Sequence, residues 1–232
     1  MITLRKANAR GHADHGWLNA RHTFSFAEYY DPAYMGFSAL RVINDDTVAP
    51  GRGFGMHGHR DMEIITYILD GELRHQDSMG NGAVIRAGDV QYMSAGSGVR
   101  HSEFNASSEA PVHLLQTWIL PESNDLEPQY GQRTIAPQEK RGRWRLLASH
   151  DGRDGSIAIR QDASVLATLL DGAESAQYQP AIGRRLYLHL ARGEASLNGL
   201  ALHGGDGAFI ENETVVMLSD AKNAEALLFD LP

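Results

Sequence analysis

The chain contains no cysteine, so disulfides, a thiolate nucleophile and a sulfur ligand to metal are all excluded. Any bound metal must be held by His, Asp or Glu. Long apolar runs are missing too, and nothing approaches the roughly 18 residues that a membrane span needs. The opening "MITLRKANARGHADHGW" is basic but leads into no apolar stretch and no small-residue cleavage site, so no secretory signal is expected. A soluble, cytoplasmic protein without membrane attachment is the expectation. Positive charge is in short supply, with 21 basic against 29 acidic residues and a net charge of -8. That balance argues against a nucleic-acid partner, whose non-specific binding rests on clustered cations. The one basic run, "EKRGRWR" at 139–145, reads as a solvated turn leading into a strand.

Helical periodicity is also scarce. The clearest helical potential lies in "SVLATLL" at 164–170 and in "DLEPQYG", both short. What is abundant is turn chemistry, with "NDD", "APGRG", "LDGE", "MGNG", "RAGD" and "SAGSG" in the first half and "ARGE", "LNG" and "HGGDG" in the second. Between them lie short β-rich segments such as "ALRVI", "EIITYIL", "VHLLQTWIL", "RRLYLHL" and "TVVML". Many short strands punctuated by Gly, Asp and Asn predict an all-β sandwich or barrel. Asp70-Gly71 between apolar runs is a hairpin signal.

The segment "LPESNDLEPQYGQRTIAP" breaks this rhythm and is the expected linker, with a short helix after Pro121. It predicts two domains, 1–132 and 133–232. "LDGELRHQDSMGNGAVIRAGD" is echoed by "ARGEASLNGLALHGGD", which pairs Gly71-Glu72 with Gly193-Glu194 and Gly88-Asp89 with Gly205-Asp206. Two similar barrels follow.

In an extended strand, residues i and i+2 share a face, so "HGH" presents His57 and His59 side by side. The same spacing recurs in "SGVRHSEF", where His101 and Glu103 are i and i+2. One H-x-H among 11 histidines is weak; two such pairs facing each other supply three nitrogens and a carboxylate oxygen around one point. That donor set suits a divalent transition metal and leaves room for substrate or dioxygen. Glu63 lies four residues beyond His59 and competes for the fourth place. Glu103 is preferred, leaving Glu63 to orient an imidazole from behind, and His75 is close enough in the hairpin to do the same. His12, His15 and His22 read as a loop packed under a barrel, and His113, His150, His189 and His203 as packed or exposed. Phe54, Met56 and Met93 fit a pocket wall or a core equally, so substrate contacts are unassigned.

In the second half the same register places Gln179 and Ala181 at the positions of His57 and His59. Leu218 and Asp220 fall at those of His101 and Glu103. No equivalent metal is expected there.

These motifs resemble the cupins and, within them, the pirins. "GRGFGMHGHRDMEIITYILDG" follows the first cupin motif with one extra residue before its closing Gly. "AGDVQYMSAGSGVRHSEFN" follows the second, with Gly96 where proline is usual and "HSE" in the pirin form. "RGHADHGWLNARHTFSFAEYYDPAYMGFSALRVINDD", "GELRHQDSMGNG", "LLQTWILP" and "LLFDLP" are similar to bacterial pirin-like proteins known as quercetin 2,3-dioxygenases. The resemblance implies a bicupin of two double-stranded β-helix (jelly-roll) barrels. It implies one metal in the first, iron before Mn, Co, Ni, Cu or Zn, held by His57, His59, His101 and Glu103.

The implied activity is cleavage of the heterocycle of quercetin-like flavonols by dioxygen with release of carbon monoxide, Glu103 acting as base. The alternative it carries is a non-enzymatic regulator that binds a protein partner according to metal or redox state. A sugar-phosphate isomerase ranks last, because only Arg60 and Arg100 stand near the motifs to hold a phosphate.

Overall fold

Side-chain alternation sets the architecture in the computed structural model, which describes all residues from Met1 to Pro232. Strand takes 59% of the chain and helix 4%, and the two compact units are cupin-type β domains. No helix is long and apolar enough to cross a membrane.

The first unit comprises residues 11–134 with 159–161. Its seven-stranded sheet runs, in spatial order, through Gln129–Thr134, Asp89–Ser94, Glu63–Asp70, Val112–Ile119, Leu40–Val48, Leu18–His22 and Gly11–Asp14. Its four-stranded sheet runs through Gly53–His59, Val99–Asn105, Glu72–Asp77 and Gly82–Arg86. All these pairings are antiparallel. Leu18, Val48, Ile68, Leu73, Ile85 and Val112, drawn from both sheets, share one buried apolar cluster. Each such side chain contributes about 1.5–3 kcal/mol by leaving water. That sum offsets a set of polar groups which the same interior also encloses.

Those polar groups follow from the alternation itself. In Val99–Asn105, Val99, His101, Glu103 and Asn105 are buried while Arg100 and Phe104 face outward. The inward side of this strand is therefore mostly polar, the reverse of the usual hydrophobic-in pattern. A site is built there at the expense of core.

The second unit comprises residues 1–10, 135–158 and 162–232. The contact division thus falls at 134/135 against the expected 132/133, and the first ten residues go with the later half: Ile2–Arg5 pairs with Gly207–Glu211. Eighteen buried residues, chiefly Leu and Ala, form its core.

Three expectations need correction. Ser164–Gly172 is a strand, paired with Arg145–Ser149 and Val216–Leu231, not a helix. A short apolar run carries no period that separates the two, and pairing on both edges decides for strand. No helix follows Pro121; Gln129–Thr134 in the expected linker is a strand on Asp89–Ser94, and the only α-helix is Pro137–Lys140. The basic run is not solvated throughout: Lys140 is buried beside Glu225, Arg141 meets Glu174 and Arg145 meets Glu139.

The internal repeat has its own register. Val99 lies opposite His59, and Val216 lies opposite Tyr178. Both valines open their strands, so His101 and Glu103 map onto Leu218 and Asp220 as expected. His57 and His59, however, map onto Ala176 and Tyr178, not Gln179 and Ala181, because the connection before Arg185–Leu197 is longer than its counterpart. Ala176 and Leu218 belong to the apolar core of this unit.

Candidate metal centre

The strand Gly53–His59 meets Val99–Asn105 with a bulge. His57 lies opposite His101, but Glu103 lies opposite Phe54, so the first strand carries the extra residue. The bulge turns the Gly55 carbonyl back onto the ring of His57, which donates its Nδ1–H across 2.8 Å. Nε2 of His57 is left as a lone-pair donor. Gly53 is needed here, because a Cβ on it would lie 2.1 Å from the Glu103 carbonyl oxygen.

The imidazoles of His57, His59 and His101 converge. Nε2 of His101 stands 2.9 Å from Nε2 of His59 and 3.1 Å from Nε2 of His57. Two donors about 2.1 Å from a common ion and at right angles to it stand about 3 Å apart, so this spacing fits metal ligands. A hydrogen-bonded triad fits less well, since His57 already carries its proton on Nδ1.

Burial, then the neighbouring imidazoles, lower His59 to about 4 and His101 to about 3, so both rings are neutral bases at ordinary pH. The carboxylate of Glu103 lies 4.0 Å from His101 Nε2. Gln116 donates to both Glu103 oxygens, at 3.2 and 2.9 Å, and accepts from Trp118 Nε1 at 3.2 Å. His75 is buried beside His101, stacked on Tyr130, with Nε2 at 3.2 Å from Asp77 Oδ2. Asp77 also takes backbone N–H bonds from Met79 and Asn81, which ties that ring to a tight turn.

Glu63 is elsewhere. Fully buried, it accepts from Tyr92, from Ser94 at 2.6 Å and from the backbone N–H of Arg160 at 2.9 Å, and none of these bonds involves an imidazole. The expected same-face relation requires an unbroken strand. The chain instead turns at Asp61, with φ +50°, and Glu63 enters the other sheet.

A cavity of about 290 Å³ lies over the imidazoles, between the two sheets of this unit. Phe26, Phe54 and Trp118 line it along with His57, His59 and Glu103. It adjoins a larger cleft of about 780 Å³, with Leu18, Ala20, His22, Phe26 and Phe54 common to both walls. Ligand sites usually span roughly 300–1,000 Å³ and are mostly apolar. Of the wall candidates in the sequence, Phe54 lines both spaces, Met93 is core and Met56 is exposed.

Sequence reasoning missed His22, Asn44, Asp46, Gln116 and Trp118, all of which line the smaller cavity. His12, His15 and His22 are not in a loop under the barrel. His12 and His22 sit on paired strands, and all three line the larger cleft. Arg60 is taken up by Asp61 and Asp125, and Arg100 donates to the Met56 carbonyl.

The fold and this cluster define a two-barrel cupin with a histidine-rich centre in its N-terminal barrel. The family profile described as Pirin matches residues 3–119, and that described as Quercetinase C-terminal cupin domain matches residues 146–231. The chain is 50% identical to the quercetin 2,3-dioxygenase of Escherichia coli strain K12, over all of this chain and 99% of the relative. A pirin-like protein of Caulobacter vibrioides is 44% identical over 99% of each chain. The crystal structure of the Escherichia coli pirin YhhW in complex with nickel(II) superposes with a TM-score of 0.95. It is 50% identical, covering 100% of this chain and 99% of that one. This chain belongs to the pirin family.

Proposed function

We propose that the protein is a metal-dependent dioxygenase that opens the heterocycle of flavonol-type aromatics and releases carbon monoxide, with His57, His59, His101 and Glu103 holding one divalent metal. The observation that carries this reading is the convergence of three imidazole nitrogens at 2.9–3.1 Å beneath an aromatic-lined cavity. The names of the relatives, and the nickel in one of them, support it. When bound, the metal supplies a Lewis acid that acidifies a coordinated hydroxyl and brings dioxygen beside it.

The residues of the chain do the rest. Glu103 is placed to accept the proton of the ring hydroxyl, and the amide nitrogen of Gln116, which donates to the carboxylate between its two oxygens, holds it in that orientation. Gly55 fixes the tautomer of His57, so its Nε2 faces the cavity. His75, anchored by Asp77, packs behind His101 and limits how that ring tilts. Phe54, Phe26 and Trp118 exclude water and offer faces to flat rings. Glu63 has no part in this.

The test is to strip metal, reload with Fe, Mn, Co, Ni, Cu or Zn in turn, and measure carbon monoxide and loss of flavonol absorbance with quercetin in air. Metal-dependent product that disappears in His101→Ala is expected. Absence of product from every loaded form overturns the reading and leaves the regulator alternative, which predicts a protein partner that binds in only one metal or oxidation state.

A further inference from the structure

We infer that Asp46 is a substrate-binding residue of this cavity, its carboxylic acid O–H donating to a carbonyl oxygen of the bound aromatic. The inference rests on the flavonol reading above and deepens it.

Asp46 sits mid-strand in Leu40–Val48, its backbone paired with Leu114 on one side and Ala20 on the other, and its side chain lines the smaller cavity with Glu103. It is 5% exposed, and its Oδ1 is enclosed with no hydrogen-bond partner. The polar neighbours have bonds of their own. The Gln116 amide nitrogen donates to the Glu103 carboxylate, at 3.2 and 2.9 Å from its two oxygens, and the Gln116 oxygen accepts from Trp118, while Asn44 Oδ1 lies 2.8 Å from Nδ1 of His22. Asp46 therefore stands in the wall with unspent hydrogen-bonding capacity.

A buried carboxyl without a cation or donor is costly as an anion and tolerable as a neutral acid. Burial, followed by the nearby charges of Asp45 and Glu103, pushes this one up to about 8, so it holds its proton at neutral pH. The cavity then contains two carboxyl groups of opposite function. Glu103 accepts from the Gln116 amide at both of its oxygens, whereas Asp46 has an O–H to give. An acceptor and a donor lining one cavity complement a hydroxyl and its adjacent carbonyl. That pairing is the 3-hydroxy-4-oxo edge of a flavonol.

The experiment is equilibrium binding without oxygen to the nickel-loaded protein, read by quenching of tryptophan fluorescence, with nickel affinity measured in parallel. The probes are quercetin and luteolin, which share the carbonyl while luteolin lacks the 3-hydroxyl. Asp46→Leu should weaken both by about tenfold, as expected for one lost hydrogen bond. Asp46→Asn, which keeps a neutral donor, should bind both within a few-fold of the unaltered protein. Nickel affinity should not change. Asp46→Ala replaces the leucine variant if that one fails to fold.

Unchanged binding in the loss variant overturns the inference, and so does an asparagine variant as weak as it. Weakening confined to quercetin overturns the carbonyl assignment, and altered nickel affinity shows Asp46 acting through the metal ligands. In each of these cases the flavonol reading stands. Unaltered protein that takes up nickel but neither flavonoid overturns that reading and the inference with it.

Discussion

Three imidazoles facing one another through Nε2 cannot all be protonated, and the cost of enclosing them sets an acid limit on the fold. His59 at about 4 and His101 at about 3 lie below the 6.5 of a histidine in the unfolded chain, burial being the main cause and neighbouring imidazoles the next. As pH falls below 6.5, the unfolded chain takes up protons that the folded chain refuses. Stability is therefore present above that value and lost as pH drops toward about 4 for His59 and about 3 for His101, by up to about 1.4 kcal/mol per pH unit for each proton. The metal-free protein should show a melting temperature that declines across this window, and His101→Gln should decline less steeply. A variant with the same slope as its parent would separate His101 from the effect. The two histidine pairs were legible in the sequence because a strand repeats every second residue and both members of each pair lie on one strand. Asp46, Gln116, His22 and Trp118 were not, since they arrive from strands remote in sequence and each is an ordinary residue until the sheets close around it.

Strand continuity decides the next level. The chain breaks between Gly53–His59 and Glu63–Asp70, and the two strands enter different sheets, which is why a carboxylate four residues from His59 ends far from its expected task. Glu63 instead gathers Tyr92, Ser94 and the backbone of Arg160, a residue nearly one hundred positions away, onto one buried carboxyl group. Glu63→Ala leaves these donors without a partner and should cost on the order of 3 kcal/mol in denaturant unfolding, with metal affinity of the folded fraction unchanged. Weakened metal binding in that fraction would restore Glu63 to the site. Gly53→Ala should differ in reaching the metal site as well. Its new Cβ collides with the Glu103 carbonyl across the bulge, so metal affinity, read by calorimetric titration, should fall at least tenfold together with stability. An alanine variant that binds metal like its parent would show that the bulge tolerates a wider strand spacing. The misread helix at Ser164–Gly172 belongs to this scale as well: seven apolar-rich residues fit either period, and only the partners on both sides, invisible in the local sequence, select the strand.

At the level of the whole chain, one barrel plan is used twice with opposite interiors. In the N-terminal unit the inward positions hold His57, His59, His101 and Glu103; in the C-terminal unit their counterparts are Ala176, Tyr178, Leu218 and Asp220, the alanine and leucine packed in an apolar core. The repeat was visible through its turn residues because Gly-Glu and Gly-Asp mark the same hairpins in both halves. Its exact pairing was not, because the loop lengths differ. Metal is therefore a ligand of one unit, and its stabilisation should be local. An ion at one hundred times its dissociation constant adds about 2.7 kcal/mol to the state that binds it. Hydrogen exchange followed by mass spectrometry, with and without nickel, should show slower exchange in Gly53–His59, Glu72–Asp77 and Val99–Asn105. No change is expected in Ala176–Tyr178 or in the first turns of Val216–Leu231. Protection that appears equally in the second set would mean that the second barrel responds to the metal although alanine and leucine stand where His57 and His101 stand in the first, and the division of labour between the two interiors would fall.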